Sequence, residues 1–303
     1  LRFSARSWRF RSAARDDDPR ACEKDGLAQA DARRNPSTNG SGRQRRGDDV
    51  YYWTGNAAKA RVMALVLADP RPKLRVFDYG AGQGGDWPAV LAAHPKVELV
   101  CYEPESASCR VLRDRLMPSR ARVLSDGEFA SDPVVADCIV SFSVLEHVFD
   151  RPAYMNHAKR HLAQDGTFYL NYDDGHFRTA LDLDELRGWR ASLAVTLQNR
   201  LAALWPRVNL IDRYQSRVTA DAIQQLVSDA GLRVMDDRYE NLASLKSLAK
   251  TVPAERSQEF VHFWLAAEEQ LNRQFRTDCE PRMGDATNLW REMASRTLVL
   301  RHV

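Results

Sequence analysis

The chain has no long hydrophobic run. Apolar stretches such as Val62–Ala68 and the run within Asp137–Val144 are bounded by charge and fall far short of a bilayer span, which takes roughly 18–20 apolar residues. A helical membrane span is therefore not expected, and the reading is of a soluble protein. Cysteine is scarce. The five present (Cys22, Cys101, Cys109, Cys138 and Cys279) form no C-x-x-C pair and no metal-finger spacing. That argues against a disulfide framework and structural zinc, and a reducing, cytoplasmic location is expected. Cys101 and Cys138 lie in strand-like apolar runs, where a thiol behaves as a small hydrophobe.

Most of the chain also lacks an excess of positive charge. Residues 1–47 hold 12 Lys and Arg against 6 Asp and Glu, whereas the remainder holds 32 against 35. Binding to nucleic acid draws on concentrated positive charge, so the body of the protein is a poor nucleic-acid reader. Residues 1–47 show no sustained periodicity. Their Asp16–Asp18 run and the Asn, Ser, Thr and Gly of residues 35–42 predict a disordered basic tail, because too little apolar surface is available to offset ordering entropy. The Arg- and Ser-rich first fifteen residues superficially resemble a transit peptide, but the Asp triplet that follows spoils the pattern.

Organised structure is expected from about residue 48 to the end. Thr54 is placed to cap a helix running to about Ala68, stopped by Asp69-Pro70. Strands are predicted at Leu74–Tyr79, Val97–Glu103, Arg122–Leu124, Ala136–Phe142 and Gly166–Tyr172. Helices lie between them, one with Pro88 in its first turn and one capped by Asp150. Short apolar strands alternating with helices indicate parallel β-α-β units. Beyond them, residues 175–217 read as a helical insertion, Thr219–Ala230 as a helix closed by Gly231, and Leu232–Tyr239 as a strand. Two helical stretches occupy about 242–277, and Arg296–Arg301 fits a returning last strand. The fold class is α/β: a doubly wound, mostly parallel seven-stranded, Rossmann-like sheet with a helical insertion.

The chemistry concentrates at Asp78-Tyr79-Gly80-Ala81-Gly82-Gln83-Gly84-Gly85. Its glycines satisfy G-x-G-x-x-G between a strand and a helix, and Glu103 lies where a carboxylate can bind ribose hydroxyls. By the glycines alone, an NAD(P)-dependent oxidoreductase fits as well as any nucleotide-type cofactor. Charge separates the readings. A pyrophosphate would lie close to the Asp78 carboxylate, and two anions in a partly dry crevice repel. S-adenosylmethionine carries an ammonium and a sulfonium, which that carboxylate attracts.

On these residues the sequence resembles the class I S-adenosylmethionine-dependent methyltransferases, in the branch with small-molecule, lipid and glycan substrates. An acid followed by x-G-x-G-x-G is matched at Asp78, Gly80, Gly82 and Gly84, and the family's second acidic position at Glu103. The acid after the third strand is matched at Asp126, beside Gly127. The fourth-strand motif is matched by Ser141-Phe142-Ser143-Val144-Leu145-Glu146-His147-Val148. At the next turn the chain departs, with Gln164 and Asp165 where the family usually has Pro and Gly. The resemblance covers about residues 50–240. It implies that S-adenosylmethionine is the cofactor and that Asp78, Gly80, Gly82, Gly84, Glu103, Asp126, Gly127 and Ser141 hold it. Asp126 would face the adenine amino group.

The acceptor is less legible. His147, just past the fourth strand, and Asp173 and His176, just past the fifth, are candidate general bases; the bland alternatives are a packed histidine and solvated loop acids. No metal is expected, because the fourth strand ends in Ser141-Phe142-Ser143 where metal-dependent relatives present an aspartate. The Asn/Asp-Pro-Pro-Tyr sequence of base and glutamine N-methyltransferases is missing there too. The expected reaction is O-methylation of a small molecule, sugar or lipid-linked acceptor by direct in-line transfer, with nucleic acid as an unfavoured partner. A cofactor-binding protein without catalysis is the other alternative. Tyr51-Tyr52-Trp53 either closes over the cofactor or anchors to the domain. The helix Ser257–Phe275 is a candidate core element or homodimer contact.

Overall fold

A computed structural model describes residues 50–129, 134–148, 150–173, 218, 220–278 and 293–303. The expected disordered tail at 1–47, the insertion at 175–217 and His176 lie outside the described residues.

The first helix, α1 (Ala57–Leu67), is capped by Asn56, whose side-chain oxygen accepts the Lys59 amide at 3.1 Å. This corrects the expectation of Thr54 as the cap: Gly55 intervenes and the helix starts three residues later. Strand β1 (Leu74–Tyr79) follows, then α2 (Trp87–Ala93) with Pro88 in its first turn. Next come β2 (Val97–Tyr102), α3 (Ser106–Leu116), β3 (Arg122–Leu124), and the one-turn α4 (Asp126–Phe129). Strand β4 (Ala136–Phe142) leads through a short turn at Leu145–His147 into α5 (Arg151–His161), capped by Asp150 as its sequence implies. Strand β5 (Leu162–Asp173), α6 (Ala220–Asp229), β6 (Leu232–Leu242), α7 (Ala243–Ala249), α8 (Ser257–Asp278) and β7 (Met293–His302) complete the order.

The seven strands form one sheet in the order β3-β2-β1-β4-β5-β7-β6. Strands β1 to β5 pair in parallel, and β7 inserts antiparallel between β5 and β6. β5 begins four residues earlier than the sequence implied. Its first part pairs Leu162 with Ala136, and the register shifts before Cys138 meets Thr167. Gly166 lies in this irregular stretch, where an added Cβ would come within 3.0 Å of the Asp137 carbonyl. The Asp165-Gly166 pair therefore works as a bulge inside the strand, not as the turn before it.

Each face of the sheet carries its own apolar layer, as a parallel sheet wrapped by crossovers requires. Phe77, Tyr79, Ile139, Phe168, Leu170 and Leu298 pack towards α5 and α6. Val76, Leu99, Cys101, Cys138 and Val140 pack towards α1, α2 and α3. Cys101 and Cys138 are buried free thiols, consistent with their reading as small hydrophobes. At the β5–β7–β6 end the layer beneath α1 is polar. Arg61 pairs with Glu240, Glu240 meets the Thr297 hydroxyl, and the Asn171 amide donates to Thr297 Oγ1 at 2.9 Å. The Ala58 amide donates to Asn241 Oδ1, and Asn241 Nδ2 donates to Ser295 Oγ at 2.7 Å. Buried polar groups seek partners, and these hydrogen bonds tie α1 to the sheet. Trp264 of α8 is wholly buried while Phe263 faces outward. No described helix is long and apolar enough to cross a membrane.

Candidate active site

Strand order reverses between β1 and β4, which opens a crevice at the carboxyl ends of the two strands. The glycine loop stands at this point. Gly80 and Ala81 both donate to the Tyr102 carbonyl at 3.0 Å, which holds the loop against the end of β2. The Gly82 amide donates to Glu103 Oε2 at 2.7 Å and the Glu105 amide to Glu103 Oε1 at 2.9 Å. Glu103 therefore ties the loop to the start of α3. It is almost fully buried, and burial pushes its carboxyl up to about 7. Gly82 has φ +56°, and a Cβ there would meet no atom within 4 Å. At Gly80, by contrast, an added Cβ would come within 2.4 Å of a Val144 methyl. The loop is thus crowded by protein on one side and open on the other.

Asp78 is 5% exposed and accepts the Trp87 indole N–H at 2.6 Å. Burial raises its carboxyl to about 6, opposed by the Trp87 hydrogen bond and by the charge of Lys59. Lys59 extends from α1 with its Nζ 5.3 Å from the centre of the Phe142 ring, at the carboxyl end of β4. Burial lowers the Lys59 ammonium, while Asp78, Asp86 and Glu146 act in the opposite sense. Trp53 closes the other side. Its amide donates to the Asp86 carboxylate, and its ring meets Trp87 edge-on with centres 5.4 Å apart. The Tyr51 amide donates to Oε1 of Gln258 on α8 at 2.7 Å, and Gln258 Nε2 donates to the Tyr51 carbonyl at 2.8 Å. The Tyr51–Trp53 segment is accordingly anchored at both ends.

Tyr102 donates its hydroxyl to Asp126, bringing that carboxylate beside the end of β2, and burial raises it. Gly127 is exposed on the same short turn. Ser141 is fully buried: its hydroxyl donates to the Tyr79 carbonyl at 2.8 Å and accepts from Tyr154 at 2.7 Å. Its side chain links β4, β1 and α5 inside the protein. His147 is partly buried on the turn after β4, and its amide donates to the Val144 carbonyl at 2.9 Å. Asp173 ends β5 opposite Ser295. Ser143, at φ +57°, donates its amide to the Asn171 carbonyl at 2.9 Å, so the exits of β4 and β5 are bound together. The structure therefore gathers Asp78, the glycines, Glu103, Asp126, His147 and the end of β5 along one sheet edge.

The methyltransferase-domain family matches residues 52–236, a stretch that includes the glycine loop, the acids after β2 and β3, and the exits of β4 and β5. The chain belongs to this family. It is an S-adenosylmethionine-dependent methyltransferase. Among solved structures it is similar to a cyclopropane synthase from Mycobacterium tuberculosis, at 15% identity and a TM-score of 0.46, with 84% of this chain and 87% of that one covered. A geranyl diphosphate C-methyltransferase from Streptomyces coelicolor is 10% identical with a TM-score of 0.48, covering 82% and 79%. An O-methyltransferase from a multienzyme of Brevibacillus brevis is 14% identical with a TM-score of 0.44, covering 81% and 74%. No curated protein matches the chain.

The methyltransferase cleft suits the cofactor on physical grounds. Gly82 presents bare backbone to open space, and the buried acid at Asp78 gains stabilisation from a cation. Sequence reasoning did not single out Trp87, Asp86 or Lys59. A tryptophan nine residues after an acid carries no periodic signal, and Lys59 enters only because α1 folds back over the sheet. Removing the Trp87 donor by Trp87→Phe takes away a charge-assisted hydrogen bond, so calorimetry should show affinity for S-adenosylhomocysteine reduced about 5- to 20-fold. Unchanged affinity would mean that Trp87 does not orient Asp78.

Proposed function

We propose that this methyltransferase O-methylates a small molecule, sugar or lipid-linked acceptor at the edge formed by the exits of β4 and β5. The observation that carries the reading is the tie between these exits: the Ser143 amide bonds to Asn171, with the His147 turn on one side and Asp173 on the other. A hydroxyl lying there has candidate proton acceptors from two adjacent strands, and a base matched to the acceptor accelerates transfer.

Asp78, the Gly80–Gly84 backbone, Glu103 and Asp126 would hold the cofactor, Asp78 taking its ammonium and Glu103 its ribose hydroxyls. The bound cofactor supplies an activated methyl group on a positively charged sulfur. The residues do the rest by alignment and exclusion of water, which is most of what such a transfer needs. His147 or Asp173 would accept the hydroxyl proton as the oxygen attacks. Ser141, engaged with Tyr79 and Tyr154, would contribute by holding the end of β4 and not by a side-chain contact.

The test is methyl transfer from isotopically labelled cofactor to phenols, hydroxylated sugars and prenyl-linked phenols, with the labelled atom located by NMR. The expected result is label on oxygen, with kcat lowered about 100-fold or more by His147→Ala or Asp173→Asn while affinity for S-adenosylhomocysteine stays within about twofold. Label on carbon or nitrogen would overturn the reading.

A further inference from the structure

Two lysines come together beside the exit of β4. Lys59, in the first turn of α1, holds its Nζ 5.3 Å from the centre of the Phe142 ring. Phe142 ends β4, and the next residue is Ser143, whose amide ties the exits of β4 and β5. The second lysine is Lys246 of α7, and the two ammoniums act on each other as like charges. Their nearness has a structural cause. Asn241, near the end of β6 and at φ +63°, accepts the amide of Ala58, the residue before Lys59, at 3.3 Å. The next amide along the chain, that of Leu242, donates to Glu268 Oε1 of α8 at 2.7 Å. The beginnings of α1 and α7 are therefore joined through Asn241.

Both lysines are partly buried, and among the described residues neither forms an ion pair or donates a side-chain hydrogen bond. A lysine that gives up hydration without a carboxylate partner is costly, and a second cation beside it adds to the cost. The face of the Phe142 ring offsets only part of this. Asp78, Asp86 and Glu146 act on Lys59 without pairing with it. Asp78 accepts from the Trp87 indole and Asp86 from the Trp53 amide. The lysine pair is thus a cationic position whose partner is not supplied by the described protein.

We propose that Lys59 and Lys246 bind a carboxylate of the methyl acceptor, so that the substrate is a hydroxylated carboxylic acid. This rests on the proposed reading that the acceptor lies at the exits of β4 and β5, and it names the acceptor's class. Two observations select the ligand. Lys246 comes from the β6 end of the sheet, whereas the glycine loop rests on β2, on the other side of β1. That favours the acceptor over the cofactor as the source of the anion. The three acids acting on Lys59 set the ligand's charge: a single negative charge is tolerated near them, and a phosphate dianion is repelled more strongly. A charge-assisted hydrogen bond from an ammonium to a carboxylate would hold the acid end while the hydroxyl meets the methyl group.

The experiment uses the full chain saturated with S-adenosylhomocysteine. Its probes are meta-hydroxybenzoate, para-hydroxycinnamate and a hydroxylated fatty acid, each titrated against its own primary amide by NMR. At least one acid should bind about tenfold more tightly than its amide. Lys59→Met and Lys246→Gln should each cut that preference to about twofold or less, and Lys59→Arg should keep most of it. Lys246 is on a helix with no buried residue, so its variant stays folded if Lys59→Met does not. S-adenosylhomocysteine should bind the variants no more weakly than the unmodified protein. Equal binding of acids and amides, or no binding of any acid, would overturn the proposal. So would weaker binding of S-adenosylhomocysteine by Lys59→Met with its decarboxylated analogue unaffected, because the lysine would then serve the cofactor's own carboxylate. Label on carbon or nitrogen of a bound acid would overturn O-methylation alone, and label on oxygen without a preference for acids would overturn the carboxylate anchor alone.

Discussion

Asp78→Asn is expected to weaken binding of S-adenosylhomocysteine about 10- to 100-fold in calorimetry, without unfolding the protein. The amide keeps an oxygen for the Trp87 indole, so the packing beneath the loop survives and the charge alone is removed. A hydrogen bond to a charged group contributes about 1.5–3 kcal/mol, and each 1.4 kcal/mol is tenfold in affinity. Acidity should have the same effect on the unmodified protein. Asp78 is pushed up to about 6, so it is ionised at pH 8 and largely protonated at pH 5. A cationic ligand group binds the ionised form, so binding releases the proton and affinity falls as pH drops through 6, approaching tenfold per pH unit below it. Glu103, at about 7, protonates earlier, and its loss weakens the anchor on the Gly82 amide. Asp78→Asn should flatten the profile below pH 6. A variant with unchanged affinity and an unchanged profile would remove Asp78 from the cofactor site.

Gly82→Val should abolish detectable binding of S-adenosylhomocysteine while leaving a folded protein. The new Cβ enters open space with no described atom within 4 Å, so the main cost to the folded state is the strain of a β-branched residue at φ +56°. That strain costs about 1–3 kcal/mol, a fall of roughly 2–12 °C in Tm for a domain of this size. Gly80→Val makes the comparison informative. There φ is +91°, and the Cβ itself collides with Val144 at 2.4 Å, so strain and overpacking act together. Scanning calorimetry should show Gly80→Val well below Gly82→Val in thermal midpoint, while isothermal titration shows no heat with Gly82→Val. If Gly82→Val bound the ligand with near-normal affinity, the open side of the loop would not be the cofactor cradle.

The two variants separate what local pattern reveals from what it hides. In the sequence, Gly80 and Gly82 are equivalent members of one motif. Their difference comes from Val144, 64 residues away along the chain, which packs against one and not the other. Strands β1, β3 and β4 were legible to the residue, because each is a short buried run bounded by turn chemistry. Helix starts at Asp150 and Gly231 as a helix stop were legible for the same local reason. The first helix was misplaced because Thr54 and Asn56 are both good caps, and only the hydrogen bond from Lys59 distinguishes them. Strands β6 and β7 exceeded their sequence patterns because they pair with each other beyond the apolar cores from which they were read, and β5 starts early because Leu162 pairs with Ala136 of β4.

The candidate site divides along the same line. Asp78, Glu103 and Asp126 were legible as candidates because each lies at or just past the carboxyl end of a strand, and strand ends in an α/β sheet collect at one edge. Ser141 has the same position, yet its hydroxyl points inward to Tyr79 and Tyr154, and strand register alone could not tell the two orientations apart. Trp87 under Asp78 and Lys59 over Phe142 had no local signal. Each depends on elements distant in sequence meeting at a common surface.

From the amino-acid order alone come the class of fold, the sulfonium-type cofactor and the sheet edge proposed to hold it. These follow from periodicity, glycine spacing and charge, which act over a few residues or repeat along the chain. Three-dimensional packing supplies the rest: which glycine faces open space, which hydroxyl is used internally, and how far Asp78 is raised. Those properties are set by burial and by long-range neighbours, and burial exists only once the chain has folded.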